Sequence, residues 1–252
     1  RANKADAAEY HYQVAQKKEG KTALADQIQF RRAAVLQRQG RNDEAAALLQ
    51  GLLGTAALTN MQPQLLEWLA RFNLQGGKFK EAEVAGLALA VAAQDASWKQ
   101  MAWYMVGRGR QGQGQPAAAR EAYQEALKQP ARTREGVESA LYLGRVGLET
   151  KNFAAASDLF AQAAEMAAGD DVLDIRAQSY FGMGQAARAQ EKWDDASRYF
   201  LGVGVLFDDP KLTPEAMYYA AEALGKLNRV ADRDKTLQEL KQRYPDSAWA
   251  KK

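Results

Sequence analysis

Small, large and apolar positions recur along this chain in a fixed order that predicts helices. Ala8, Ala45, Ala82, Ala119 and Ala156 stand thirty-seven residues apart, and Ala196 follows after a step of forty. Twelve residues before each marker the chain is small: Ala33, Ala70, Gly107, Gly144, Gly184 and, in the same frame, Ala221. Four after, it is usually large: Tyr12, Leu49, Tyr123, Phe160, Phe200 and Leu237, with Gly86 the exception. Seven after, it is apolar: Ala15, Leu52, Leu89, Ala126, Ala163, Val203 and Leu240. Offsets of four and seven keep these residues on one helical face. A bulky residue often stands three before the marker, at Phe79, Phe153, Trp193 and Val230. A turn former stands five before, at Gly40, Gly77, Gly114 and Asn228. Each period therefore predicts two helices joined by a tight turn. Small residues let the two backbones approach, and the large one fills the space beside them.

A period of this length marks an array of stacked helix pairs. The frame predicts an all-α fold of about thirteen helices. Residues 1–20 would be the second helix of a truncated repeat. Full repeats would fall near 26–62, 63–99, 100–136, 137–173, 177–213 and 214–252. In an array each repeat contacts mainly its neighbours, so the expectation is one solenoid domain. The forty-residue step places extra residues around Ala168 to Asp174 and predicts a longer loop there, where the array would bend. Ala8, Tyr12 and Ala15 match a second helix without its first, which predicts that the array began upstream.

These residues resemble the tetratricopeptide repeat. Trp103, Gly107, Ala119, Tyr123 and Ala126 form one copy; Leu143, Gly144, Phe153, Ala156, Phe160 and Ala163 another; Tyr180, Gly184, Trp193, Ala196 and Phe200 a third. The last copy ends at Pro245 and departs from the pattern with Arg233 at the alanine position. The period also departs from the usual length of about 34 residues. The resemblance implies a right-handed α-solenoid that acts as a protein–protein interaction scaffold, with the first helix of each pair lining the concave groove.

In the repeat frame, one groove row holds Phe30, Glu67, Tyr104, Leu141, Phe181 and Tyr218. The next, four residues on, holds Ala34, Arg71, Arg108, Arg145, Gln185 and Glu222. Arg71, Arg108 and Arg145 recur at the repeat step, and Arg188 extends the row. Guanidinium groups hold carboxylates through paired hydrogen bonds. The expected partner groove is therefore Arg71, Arg108, Arg145 and Arg188 with Tyr104, Phe181 and Tyr218. It would take a protein or peptide carrying acidic groups. The competing reading is that the arginines pair with neighbouring acids such as Glu67 or Glu138.

Other chemistry fades on inspection. The net charge is +3, from 34 basic and 31 acidic residues, which is too balanced to imply a nucleic-acid partner. Cysteine is absent and His11 is the one histidine, so the common zinc sites cannot be built. No apolar run reaches the ~18 residues of a membrane helix. The string Gly107-Arg108-Gly109-Arg110-Gln111-Gly112 follows a helix in the repeat frame, whereas the dinucleotide motif needs a preceding strand. Its glycines predict a softer helix. Asp170-Asp171, Asp194-Asp195 and Asp208-Asp209 fall where aspartate caps helices. Thr213-Pro214-Glu215 reads as a helix start with Thr213 as the cap. No residue set suggests catalysis, a cofactor or a metal.

The segment Gln242 to Lys252 contains Tyr244-Pro245-Asp246-Ser247, and it resembles a signature of bacterial envelope repeat proteins of the Tol–Pal-associated and outer-membrane-assembly types. This implies envelope assembly or maintenance, in the periplasm or at the outer membrane, with a lipid anchor upstream as one arrangement. A cytoplasmic adaptor or co-chaperone and a self-assembling structural array are the alternatives.

Overall fold

The computed structural model describes residues 2–19, 23–54, 61–169, 172–207 and 209–252. These residues form thirteen α-helices and one short π-helical segment, with no strand among them. They divide into two compact units, residues 1–131 and 132–252, where the sequence predicts a single array. The first unit contains α1 (Ala2–Glu19), α2 (Ala23–Arg38), α3 (Asn42–Leu52), α4 (Pro63–Gln75), α5 (Phe79–Ala92), α6 (Ala96–Gly112) and α7 (Pro116–Leu127). The second contains α8 (Arg134–Glu149), α9 (Phe153–Met166), α10 (Leu173–Ala189), α11 (Trp193–Gly202), the π-helical segment Val203–Phe207, α12 (Thr213–Lys226) and α13 (Val230–Arg243).

The turns explain the pairing. Gly40, Gly77, Gly114, Lys151, Glu191 and Asn228 all have φ between 57° and 77°. They follow the same steps as the alanines. At each, the next residue's amide donates back to a carbonyl five residues earlier, as Lys78 does to Asn73 at 2.8 Å and Asn152 to Gly147 at 2.8 Å. That bond closes a left-handed helix end and sends the chain back antiparallel. The sequence signals this turn at four positions. Lys151 and Glu191 carry no such signal, because the turn bonds hold them in a conformation their side chains disfavour.

The marker alanines Ala45, Ala82, Ala119, Ala156 and Ala196 are fully buried within the pairs. Beside them, a Cβ added at Gly107, Gly144 or Gly184 would lie 2.7 Å from the ring of Tyr123, Phe160 or Phe200 respectively. Each ring thus occupies the volume that a methyl on the partner helix would need. The exception at Gly86 has its own reason. A Cβ there would lie 3.0 Å from the Val106 side chain and 3.1 Å from the Val106 amide, so α6 packs directly on α5.

The glycine string takes the helical, packed place that the repeat frame gives it, and two cap expectations are corrected. Gly107, Gly109 and Gly112 lie inside the unbroken helix α6, and an added Cβ at Gly109 or Gly112 would meet Phe79 or Glu83 of α5. They are packing residues. Thr213 does not cap α12. The Asp209 carboxylate instead accepts from the amides of Lys211 (2.8 Å) and Leu212 (2.9 Å), one turn earlier. The Thr213 hydroxyl is buried with no partner among the described residues. Asp194 and Asp195 lie in the first turn of α11 without capping it through a side chain, and Asp195 pairs with Arg198. There they complement the helix dipole only. Asp170, Asp171 and Asp208 lie outside the described residues, and so does the middle of the expected long loop. His11 is exposed on α1, edge-on to Tyr10.

Candidate partner-binding grooves

Two helical faces present the groove rows, one in each unit. In the second unit, α8 supplies Arg145, α10 supplies Gln178, Phe181 and Gln185, and the segment before α12 supplies Lys211. They line a groove of about 440 Å³ floored by the Phe160 ring and Gly182. Gly182 is required by packing, since a Cβ there would lie 2.5 Å from that ring. Arg145 is exposed and donates to Gln178, its one partner among the described residues. The acids at this groove have other bonds. Asp174 reaches Arg134 at 3.5 Å, and Asp209 holds backbone amides. Glu138, an acid near Arg145 in sequence, accepts from Arg134 at 2.9 Å.

The remaining predicted residues divide by chemistry. Arg188 grips Glu222 of α12 through two hydrogen bonds of 3.0 and 3.1 Å and stacks 4.5 Å over the Tyr219 ring. Burial first, and Glu215 next, hold the Tyr219 phenol above its ordinary pKa, against the opposing charge of Arg188. Arg188 is thus a clip between α10 and α12. Phe181 is 8% exposed and packs on Phe200 with ring centroids 5.5 Å apart. Tyr218 packs against Trp249, 5.3 Å away, so the C-terminal segment covers part of its ring.

In the first unit, Arg71 of α4 pairs with Glu67 one turn away, as the competing reading anticipates. Arg108 donates to the Tyr104 hydroxyl at 2.8 Å. Tyr104 itself is only 6% exposed and packs on Tyr123, so its ring is core. Arg110, two residues beyond Arg108, reaches across to Glu83 of α5 at 2.8 Å, and Gln113 donates to the same carboxylate at 2.7 Å. Burial pushes the Glu83 carboxyl up, but these two bonds outweigh it and the pKa lies below the usual value.

A second groove of about 410 Å³ opens on α2, lined by Gln27, Phe30, Arg31, Ala34, Val35 and Arg38, with Tyr12 of α1 and Gln62. Phe30 and Ala34 are the frame residues of this repeat. Arg31 and Arg38 escape the frame because they do not recur at the repeat step. Their signal is the helical spacing of Gln27, Arg31, Ala34 and Arg38, which places all four on the face that carries Phe30.

Tandem antiparallel helix pairs, three of them with a glycine facing an aromatic ring across the pair, define a helical-repeat protein. Tetratricopeptide-repeat models match residues 104–171 and 215–247, so the chain contains tetratricopeptide repeats. No curated protein matches it. Among solved structures, the C-terminal part of a TPR repeat-containing protein from Cytophaga hutchinsonii is similar, with a TM-score of 0.61 and 15% identity, over 99% of this chain and 94% of that one. BtubC from P. vanneervenii gives a TM-score of 0.57 and 17% identity, over 88% of this chain and 91% of that one. PilF of Pseudomonas aeruginosa gives 0.50 and 18%, over 75% and 95%. At these identities the likeness concerns the fold. The repeat fold supports a protein–protein interaction scaffold, and such repeats are generally non-catalytic. No helix among the described residues is long and apolar enough to cross a membrane.

Proposed function

We propose that the chain is an adaptor that holds an acidic peptide segment of a protein partner against the faces carrying Arg71, Arg108, Arg145 and Arg188. The groove of the second unit carries this reading. Arg145 and Lys211 face a concave apolar floor, while the acids beside them are bonded to Arg134 and to backbone amides. An entering carboxylate there meets a guanidinium whose present partner is neutral. Arg71 and Arg108 form a separate candidate face on the first unit, and Arg188 keeps its role as an inter-helix clip beside Tyr218 and Phe181. The partner process we propose is bacterial envelope assembly or maintenance, in the periplasm or at the outer membrane. The Tyr244-Pro245-Asp246-Ser247 resemblance supports it.

The test reverses charge at Arg108 and Arg145. The R108E/R145E protein should keep its helical circular dichroism. The unchanged protein, used as bait in bacterial envelope extract, should enrich a defined set of envelope proteins that the double variant loses. Equal capture by both proteins would refute the arginine reading. No enrichment of envelope proteins by either would refute the proposed location.

A further inference from the structure

Arg31 and Arg38 have no hydrogen-bond or ion-pair partner among the described residues, and both are exposed at the rim of the α2 groove. No acidic side chain among the described residues lines that groove. Its remaining surface is amphipathic, with the Tyr12 and Phe30 rings forming an apolar wall and Gln27 and Gln62 offering amides. The nearby acid Glu9 already accepts from Arg32 at 2.9 Å, and Asp6 accepts from Gln39 at 2.8 Å. Two exposed cations beside aromatic rings and without counter-charge form a site complementary to an anion that carries an apolar neighbour.

The spacing selects the form of that anion. Arg31 and Arg38 lie seven residues apart on one straight helix, which separates their Cα atoms by about 10 Å. A peptide in the polyproline II conformation advances about 3.1 Å per residue with three residues per turn. Its residues i and i+3 therefore point the same way about 9 Å apart. We infer that the α2 groove binds an extended peptide bearing two carboxylates three residues apart. Arg31 and Arg38 each take one carboxylate, and Tyr12 and Phe30 pack against the residues between them. This deepens the acidic-peptide reading of the preceding section, and it places a contact site at residues outside the recurring arginine row.

The probe is a labelled peptide, acetyl-Gly-Glu-Pro-Leu-Glu-Gly-amide, titrated into the full chain by fluorescence anisotropy at low salt. Two exposed ion pairs of about 0.5 kcal/mol each predict a loss of about fivefold in affinity when both carboxylates become amides, the apolar contact between them being kept. R31E/R38E should lose at least as much, and R31Q/R38Q somewhat less, with unchanged circular dichroism because both residues are exposed. A peptide of the same composition with adjacent glutamates should bind more weakly than the probe. Equal binding by the amide analogue, by the adjacent-glutamate peptide or by R31E/R38E would overturn the inference. R120E, at an exposed position of α7 that lines neither groove, should leave probe affinity unchanged. If R145E abolishes probe binding and R31E/R38E does not, the α2 assignment falls while the acidic-peptide reading of the second unit stands.

Discussion

Gly144→Ala tests the packing rule that defines the repeat. Alanine is favoured over glycine in a helix interior by about 1 kcal/mol, so propensity alone predicts stabilisation. The structure reverses that sign. The new methyl would sit 2.7 Å from Cε1 and 2.8 Å from Cδ1 of Phe160, where carbon atoms pack best at about 3.5–4.0 Å. The ring cannot retreat. Phe160 is 1% exposed, and Gly182 of α10 also sits against the ring, so closely that a Cβ there would lie 2.5 Å away. Overpacking a core costs about 1–3 kcal/mol, and a ring packed this closely by two helices belongs at the upper end. The net expectation is a loss of about 1–2 kcal/mol, or several degrees in Tm, followed by far-UV circular dichroism during heating. Gly51→Ala is the matched control, because a Cβ at that exposed position in α3 meets nothing within 4 Å. It should be neutral or stabilising by up to about 1 kcal/mol. Adding Phe160→Leu should reduce the cost of Gly144→Ala, with a coupling energy on the order of 1 kcal/mol. If Gly144→Ala raises Tm as Gly51→Ala does, or if the two changes simply add, then the glycine–aromatic contact does not set the spacing of the pair.

Lys151→Gly and Glu191→Gly should each raise Tm, because both residues hold φ near +58° while their side chains point into solvent. Relief of the left-handed strain, about 1–2 kcal/mol, exceeds the entropy that glycine loses on folding, about 0.5–1 kcal/mol; a drop in Tm would show that these side chains make contacts of their own. Glu83 supplies a pH dependence. Its folded pKa lies below the ordinary value of 4.5, since the bonds from Arg110 and Gln113 outweigh burial. Its contribution is therefore complete above that ordinary value and disappears as the pH falls through the lower folded pKa. Urea titrations at a series of acid pH values should show this loss in the unchanged protein and a flatter profile in E83Q, and identical profiles would contradict the assignment.

The helical frame was legible in the chain because packing against the next helix repeats at every pair. A residue needed small, such as Gly144, or large, such as Phe160, is needed so again thirty-seven residues away in most copies. Turn positions were legible where glycine or asparagine occupies them, and hidden at Lys151 and Glu191, where bonds formed only after the turn closes hold the backbone. The binding faces were half legible. The frame placed Phe181, Gln185 and Arg145 on a groove, since helical phase follows from residue number. Which arginines remain available depended on acids far away in sequence. Arg188 meets Glu222 thirty-four residues on, and Arg110 meets Glu83 twenty-seven residues back. Arg31 and Arg38 share a helical face in the sequence, but the wall that Tyr12 of another helix builds beside them is a product of the tertiary structure. Periodicity thus determined what each helix buries, because burial is a property of the face. Tertiary structure decided which charges were left without a partner, because that depends on what each long side chain can reach.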